Sequence, residues 1–242
     1  MKGISSMATR HVLADLLEAA VEAGLPRVEV ESVGGVDAAQ RVADGEELDL
    51  VFLASGALKK LADAGHVDAD SITPLVLSKV AVAVASHDDS PAEAVHSPAF
   101  ADVEELQAAL REASTIGYST GPSGDALVTY ITGWGIDHEL EGRLIQAKPG
   151  IPVAKSLAAG DVELGFQQLS ELVGQPGVRI LGVMPDDAPI TTIFSGAVAT
   201  KSSDPAGAAS VLAMLASDAA NEIKTAHSFA VPEKELSDQS GS

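Results

Sequence analysis

The sequence predicts a two-lobed α/β protein. Three observations predict it. Short apolar runs alternate with helical patterns along the whole chain, two βα sets flank a long β-type run, and a second long run returns late. Alternation of this kind builds parallel sheets with right-handed crossovers.

The first strand opens directly after Met1-Lys2-Gly3-Ile4, and a helix follows over about residues 7–23. There Val12, Leu13, Leu16, Leu17, Ala20 and Val21 form an i, i+4 stripe, and Gly24 and Pro26 end it. A strand at 28–33, Gly34-Gly35 and a helix at 37–43 come next, then a strand at 48–53, Ser55-Gly56 and a helix to 64. The first long β-type run is 80–85, followed by a polar loop at 86–99. The pattern resumes with a helix at 103–112, a strand at 115–118, the loop from Ser119 to Gly124, and a helix to about 134. A strand at 143–147, Pro149-Gly150-Ile151-Pro152, a helix ending near 159 and a strand at 164–168 complete the second set. The run at 190–200 returns, a helix at 205–224 closes the chain, and the polar end from about 233 reads as frayed.

This order implies two crossings, with 80–85 carrying the chain out and 191–199 bringing it back. Lobe 1 is then 1–82 plus 195–242, and lobe 2 is 83–194. The alternative is a single doubly wound sheet. Crossing strands are natural hinges, and the cleft between them is the natural ligand site.

Composition narrows the partners. With 46% hydrophobic but only 3% aromatic residues, the core is aliphatic. A formal net charge of −20 argues against nucleic acid, which needs phosphate-neutralising Lys and Arg. Without cysteine there is no disulfide, thiolate metal site or Cys nucleophile. His11, His66, His87, His96, His138 and His227 are scattered without ligand spacing, so no metal site is expected. No cofactor is expected either: Pro122-Ser123-Gly124-Asp125 lacks the phosphate-loop lysine, and Gly34-Gly35 is not a dinucleotide fingerprint. No run is long and apolar enough to span a membrane, and no leader is visible before the first strand. The expectation is a cytoplasmic monomer, or a periplasmic or extracellular one from which a signal was trimmed.

The chemistry gathers where strands end and helices begin. Ser5-Ser6, Gly34-Gly35, Ser55-Gly56, Ser119 to Gly124 and Pro149-Gly150 are small or polar junctions. A helix N-terminus offers unsatisfied N–H groups and partial positive charge, and small residues let an anion approach them. Each junction alone reads as an ordinary N-cap, but parallel sheets gather such loops at one edge.

These junctions, in this order, resemble the molybdate-binding branch of the type II periplasmic binding proteins. The matching segments are Ser5-Ser6-Met7-Ala8-Thr9, Asp49-Leu50-Val51-Phe52-Leu53-Ala54-Ser55, Ile116-Gly117-Tyr118-Ser119 and Gly160-Asp161-Val162-Glu163-Leu164-Gly165-Phe166, spread over residues 3–220. The resemblance implies an oxyanion held by serine hydroxyls and backbone N–H groups, plus a tyrosine after the late strand. It places the first serine on Ser6, or on Ser5 if the register slips. The second falls on Gly34-Gly35-Val36, the third on Ser123-Gly124 and the fourth on Ile151-Pro152. The tyrosine position carries Gln168, beside Gln167. Two of the five positions therefore lack the family's side-chain donor, and the carboxamide at Gln168 suits a polycarboxylate. Ser5, Ser6, Met7, Arg10, Gly34, Gly35, Ser55, Ser119, Ser123, Gly124, Ile151, Gln167 and Gln168 are the expected ligand residues, with Arg10 as a bidentate carboxylate clamp.

The family includes aconitate isomerases, so the resemblance implies either a cofactor-independent 1,3-proton shift in a di- or tricarboxylate or plain solute binding. The latter calls for export and an ABC permease partner. A cytoplasmic anion sensor is a third reading, without a helix-turn-helix to support it. No base is identifiable: Ser6, Thr9, Tyr118 and Gln168 are weak bases, and Asp125 lies past its helix start.

Overall fold

The computed structural model describes residues 1–148 and 150–232. Pro149 of the fifth junction and the expected frayed end lie outside the described residues. Among the described residues nine strands run in the order β2 (Glu29–Val33), β1 (Lys2–Ser6), β3 (Leu50–Ala54), β9 (Thr191–Val198), β4 (Thr73–Ala85), β7 (Leu164–Gln168), β5 (Ile116–Tyr118) and β6 (Leu144–Gln146), with β8 (Val178–Val183) added beside β4.

The first half is the expected βαβαβ. Strands β1 (Lys2–Ser6), β2 (Glu29–Val33) and β3 (Leu50–Ala54) are parallel, with β1 central, and helices α1 (Arg10–Glu22), α2 (Gly35–Ala43) and α3 (Ser55–Asp63) connect or follow them. The apolar stripe of α1 packs with α8 (Pro205–Leu215) on one face of this sheet, burying Val12, Leu13, Leu16 and Leu17 against Phe52, Val211 and Leu215. Helices α2 and α3 cover the other face through Ala38, Val42, Leu58 and Leu61. Strand β9 (Thr191–Val198) returns antiparallel to β3.

The outgoing strand is longer than its apolar run. β4 spans Thr73–Ala85, and its two halves have different neighbours. Thr73 to Lys79 pair with β9, whereas Val80 to Val84 pair with β7 (Leu164–Gln168). At the same point β8 (Val178–Val183) replaces β9 along the other edge: the Val80 N–H donates to the Ile190 carbonyl and the Val80 carbonyl accepts from Met184 N–H. The strand thus leaves one sheet and enters another between Lys79 and Val80. Pro74, Ser78 and Lys79 interrupt the apolar pattern of its first half, which is why periodicity alone starts it at residue 80.

The second sheet has parallel β5 (Ile116–Tyr118), β6 (Leu144–Gln146) and β7. Helices α4 (Val103–Glu112) and α5 (Pro122–Gly133) cover one face, and α6 (Val153–Ala159) and α7 (Leu169–Leu172) the other. Leu106, Leu110, Leu127 and Ile131 are fully buried there and contribute about 1.5–3 kcal/mol each.

Other expectations differ in detail. Residues 7–9 form a 3-10 turn before α1, because Ser6 caps the turn and the Thr9 hydroxyl bonds back to the Ser6 carbonyl. The closing helix divides: α8 ends at Leu215, where Ser217 Oγ donates to the Met214 carbonyl, and α9 (Asn221–Ala226) follows a 3-10 turn at Asp218–Ala220. Strand β8 and the single-turn α7 lie outside the predicted elements. Arg179 and Gly182 break the apolar run of β8, and four residues are too few to show helical periodicity. Among the described residues no helix is long and apolar enough to cross a membrane.

Candidate functional site

The strand registers fix which loops share an edge. Ser6 pairs with Val33 and Ser5 with Phe52, so Ser6, Gly34-Gly35 and Ala54-Ser55 all lie at the carboxyl edge of the first sheet. Tyr118 pairs with Gln146 and Phe166, so the loop from Ser119 to Gly124, the loop leading to Gly150-Ile151, and Gln167-Gln168 share the carboxyl edge of the second.

The two edges meet. A side chain on Gly34 would stand 3.6 Å from the Gly150 nitrogen, and Ser170 Oγ donates to the Ala8 carbonyl at 3.1 Å. Ala8 belongs to the 3-10 turn that Ser6 opens, and Ser170 to α7, the turn of helix directly after Gln168.

Helices starting at these edges share an unusual feature. Neither α1, α2, α3, α5, α6 nor α7 has a side-chain N-cap. By contrast Asp102 caps α4 through the Glu105 N–H, and Asp204 caps α8 through the Gly207 N–H. The first N–H groups of a helix have no intrahelical acceptor, so uncapped ends keep donors available for an anion. Of the longer helices, α2, α3 and α5 carry most of this field; α1 continues from the turn that Ser6 caps, with the Arg10 N–H donating to the Met7 carbonyl, while α6 has seven residues and α7 four.

Side chains complete the lining. Ser6 caps its own turn at a long 3.4 Å, and its hydroxyl lies 3.4 Å from where a Gly35 side chain would begin. Ser119 and Ser123 hydroxyls bond each other at 2.8 Å at the start of α5. Gly124 is obligatory there, since a Cβ would stand 1.9 Å from the Ser119 carbonyl oxygen. The two glutamines point to opposite faces of their sheet. Gln167 Oε1 accepts from the Ala154 N–H at 3.3 Å, at the start of α6. Gln168 Nε2 donates to Thr192 Oγ1 at 2.9 Å, and its Oε1, buried, has no partner among the described residues. Ser78 on β4, opposite Thr192 of β9, has a buried hydroxyl likewise without a partner among the described residues. A buried, unpaired amide atom at the end of β7 is costly unless something else engages it.

Glu171 is a residue that sequence reasoning missed. It is part-buried on α7, and burial pushes its carboxyl up to about 7, opposed by a hydrogen bond from the Gln167 side chain. The available signal was its spacing: four residues after Gln167, it reaches that glutamine only because the chain turns helical at Leu169.

Other expected residues are engaged elsewhere. Ser5, fully buried, bonds Ser32 Oγ across β1 and β2 at 2.7 Å. Ser55 Oγ turns to β9, donating to the Ile193 carbonyl and bonding Ser195 Oγ at 2.6 Å. Arg10 is exposed, with Nη2 3.0 Å from His11 Nε2, and borders a groove of about 250 Å³ between α1 and β2 together with Arg27 and Glu18. Met7 is half-buried in the 3-10 turn, and Ile151 is exposed, its N–H donating to the Lys148 carbonyl.

A two-lobed α/β frame with uncapped helix starts at facing edges is the frame of a binding-protein class, and comparison with known proteins gives the family. Residues 2–230 match the family described as bacterial extracellular solute-binding protein, and the chain belongs to that family. It is similar to an aconitate isomerase from a Pseudomonas species, at 33% identity over 232 residues covering 93% of this chain and 85% of the relative. Its fold is that of the periplasmic molybdate-binding protein of Azotobacter vinelandii (TM-score 0.73, 17% identity, 96% of this chain and 100% of that one). The sulfate-binding protein of Mycobacterium tuberculosis is also similar in fold (TM-score 0.70, 17% identity, 95% of this chain and 85% of that one).

Proposed function

We propose that this protein binds a di- or tricarboxylate between its lobes and isomerises it without a cofactor by a 1,3-proton shift. The lobes in this reading are 1–82 with 195–242, and 83–194. The observation that carries the ligand class is the set of uncapped helix starts at two facing edges, together with the half-satisfied amide of Gln168, whose oxygen has no partner among the described residues. An amide can be turned end for end: Thr192 would then donate to Oε1, leaving the Gln168 NH₂ to bind a carboxylate oxygen. The similarity to a relative named for aconitate isomerisation supports the reaction.

The reaction asks for little apparatus. Removing a proton from the methylene group of an unsaturated tricarboxylate spreads negative charge over the allylic carbons and the attached carboxylates. N–H groups at the starts of α2 and α5 and the hydroxyls of Ser6, Ser119 and Ser123 would stabilise that charge as it develops. Returning the proton to the far allylic carbon completes the shift with no change of oxidation state.

The second reading is a solute-binding protein that delivers the same anion to an ABC importer. Membership in an extracellular family favours it, and also favours the exported alternative over a cytoplasmic location. Thermal-shift titration with citrate, cis- and trans-aconitate, molybdate and sulfate tests the ligand class. NMR of trans-aconitate incubated with the protein in deuterated water tests the reaction. Carboxylate binding with loss of the vinyl and methylene proton signals is expected. Molybdate binding without any carboxylate response would overturn the proposal, and carboxylate binding with neither exchange nor conversion to the other isomer would leave the transport reading.

A further inference from the structure

The proton shift needs a base, and α7 offers one. We propose that Glu171 is the group that removes the proton from one allylic carbon and returns it to the other. This rests on the isomerase reading above.

Placement comes first. Glu171 lies three residues beyond Gln168, on the helical turn that grows directly from the end of β7. The preceding residue, Ser170, donates to the Ala8 carbonyl of the turn capped by Ser6. That bond pins α7 across the seam, opposite the first anion-accepting turn. Glu171 is therefore held where both lobes meet, on a segment fixed on one side by buried Leu169 and Leu172 and on the other by Ser170.

Its environment suits a base and not a structural ion pair. Several other carboxylates are tied to arginines: Glu31 and Glu46 to Arg41, and Glu139 to Arg111. The buried Asp49 is kept ionised by four hydrogen bonds. The hydrogen bond identified at Glu171 is the one from Gln167, a neutral amide whose oxygen is already committed to Ala154 N–H. Charged groups on the packed elements are Lys79 on β4 and Arg179 on β8, with Lys155 on neighbouring α6 and Arg10 just past the 3-10 turn. All four are exposed, none forms an ion pair with Glu171, and burial and the Gln167 bond account for its altered acidity. A carboxyl that is half ionised near neutrality both accepts and returns a proton readily.

In the step itself, the Glu171 carboxylate takes a methylene proton, and the C–H electron pair moves into the allylic system. The Glu171 carboxylic acid then gives the proton to the former vinyl carbon, and the double bond re-forms one position along. No oxidant, reductant or co-reactant enters.

The test compares wild type, E171Q and E171D with trans-aconitate. Binding is measured by calorimetry, and turnover, read by NMR in deuterated water as conversion to cis-aconitate together with exchange of the carbon-bound protons, is followed from pH 5.5 to 8.5. The expected result is E171Q binding within about threefold of wild type while exchanging at least about a hundredfold more slowly. E171D, which keeps a carboxylate at shorter reach, should recover part of the rate. Wild-type exchange should rise with pH through about 7 and level off. E171Q exchanging within threefold of wild type would overturn the proposal and leave the isomerase reading intact. Wild type that binds without either exchange or conversion to cis-aconitate would remove both together. Should E171Q fail to fold, a flat wild-type pH profile or an inert, folded E171D would overturn the base role.

Discussion

The start of α5 offers a test in which one substitution, made twice in the same helix, should have opposite effects. Gly124 lies in its first turn, where an added Cβ would stand 1.9 Å from the Ser119 carbonyl oxygen and 3.0 Å from Tyr118 Cδ2. Ordinary contact begins near 3.4 Å, so a displacement of about 1.5 Å is required. The obstacle is backbone, which cannot swing aside as a side-chain tip can. Gly124→Ala must therefore push the loop off the helix and separate Ser119 Oγ from Ser123 Oγ, now 2.8 Å apart. Overpacking of this kind costs roughly 1–3 kcal/mol, and a backbone clash belongs at the upper end. At the other end of α5, a methyl group on Gly133 would meet nothing within 4 Å, and the residue lies on an ordinary helical path. Gly133→Ala should stabilise by about 0.5–1 kcal/mol, because alanine loses less backbone freedom on folding. In a chain of this size each kcal/mol shifts Tm by about 2–4 °C. Gly124→Ala is thus expected to lower Tm by several degrees and weaken trans-aconitate binding about tenfold or more, while Gly133→Ala raises Tm slightly at unchanged affinity. Wild-type Tm and affinity in Gly124→Ala would refute both the packing argument and the placement of the anion at this helix start.

Further outcomes follow from the same contacts. Ser6→Ala and Gln168→Ala should each weaken carboxylate binding by about 1 kcal/mol, roughly fivefold in Kd by calorimetry, and full affinity in both would move the site away from these residues. Ser55→Ala should lower Tm yet leave affinity unchanged, since its hydroxyl serves β9. Burial pushes the Asp49 carboxyl up, but the Lys2 and Ser203 N–H groups and the Ser202 and Ser203 hydroxyls outweigh it and hold the group at about 2. A depressed carboxyl stabilises the fold above its unfolded value near 4, and that contribution disappears as pH falls through about 2. The contribution is on the order of 2 kcal/mol. Asp49→Asn should destabilise at pH 7 and flatten this acid segment of a urea-midpoint profile; an unchanged profile would count against the network.

The sequence by itself determined what depends on neighbours along the chain. The helix at residues 103–112 and the strand at 164–168 have the boundaries that periodicity predicts, and the stripe from Val12 to Ala20 is the buried face of α1. The small and polar junctions mark the starts of α2, α3 and α5, because the residue types that permit a turn and leave N–H groups open are local properties. Tertiary structure decided what depends on distant partners. Thr73 to Lys79 is strand because β9 lies beside it, despite a proline and a lysine in its pattern. Ser55 and Ser6 read alike in the sequence, yet one hydroxyl is turned into β9 and the other faces Gly35. The acidity of Glu171 comes from burial between elements that begin more than a hundred residues apart, and no spacing rule could supply it. A local pattern fixes where backbone donors can be left open. Only the meeting of the two edges, at Gly34 with Gly150 and at Ala8 with Ser170, fixes which side chains join them.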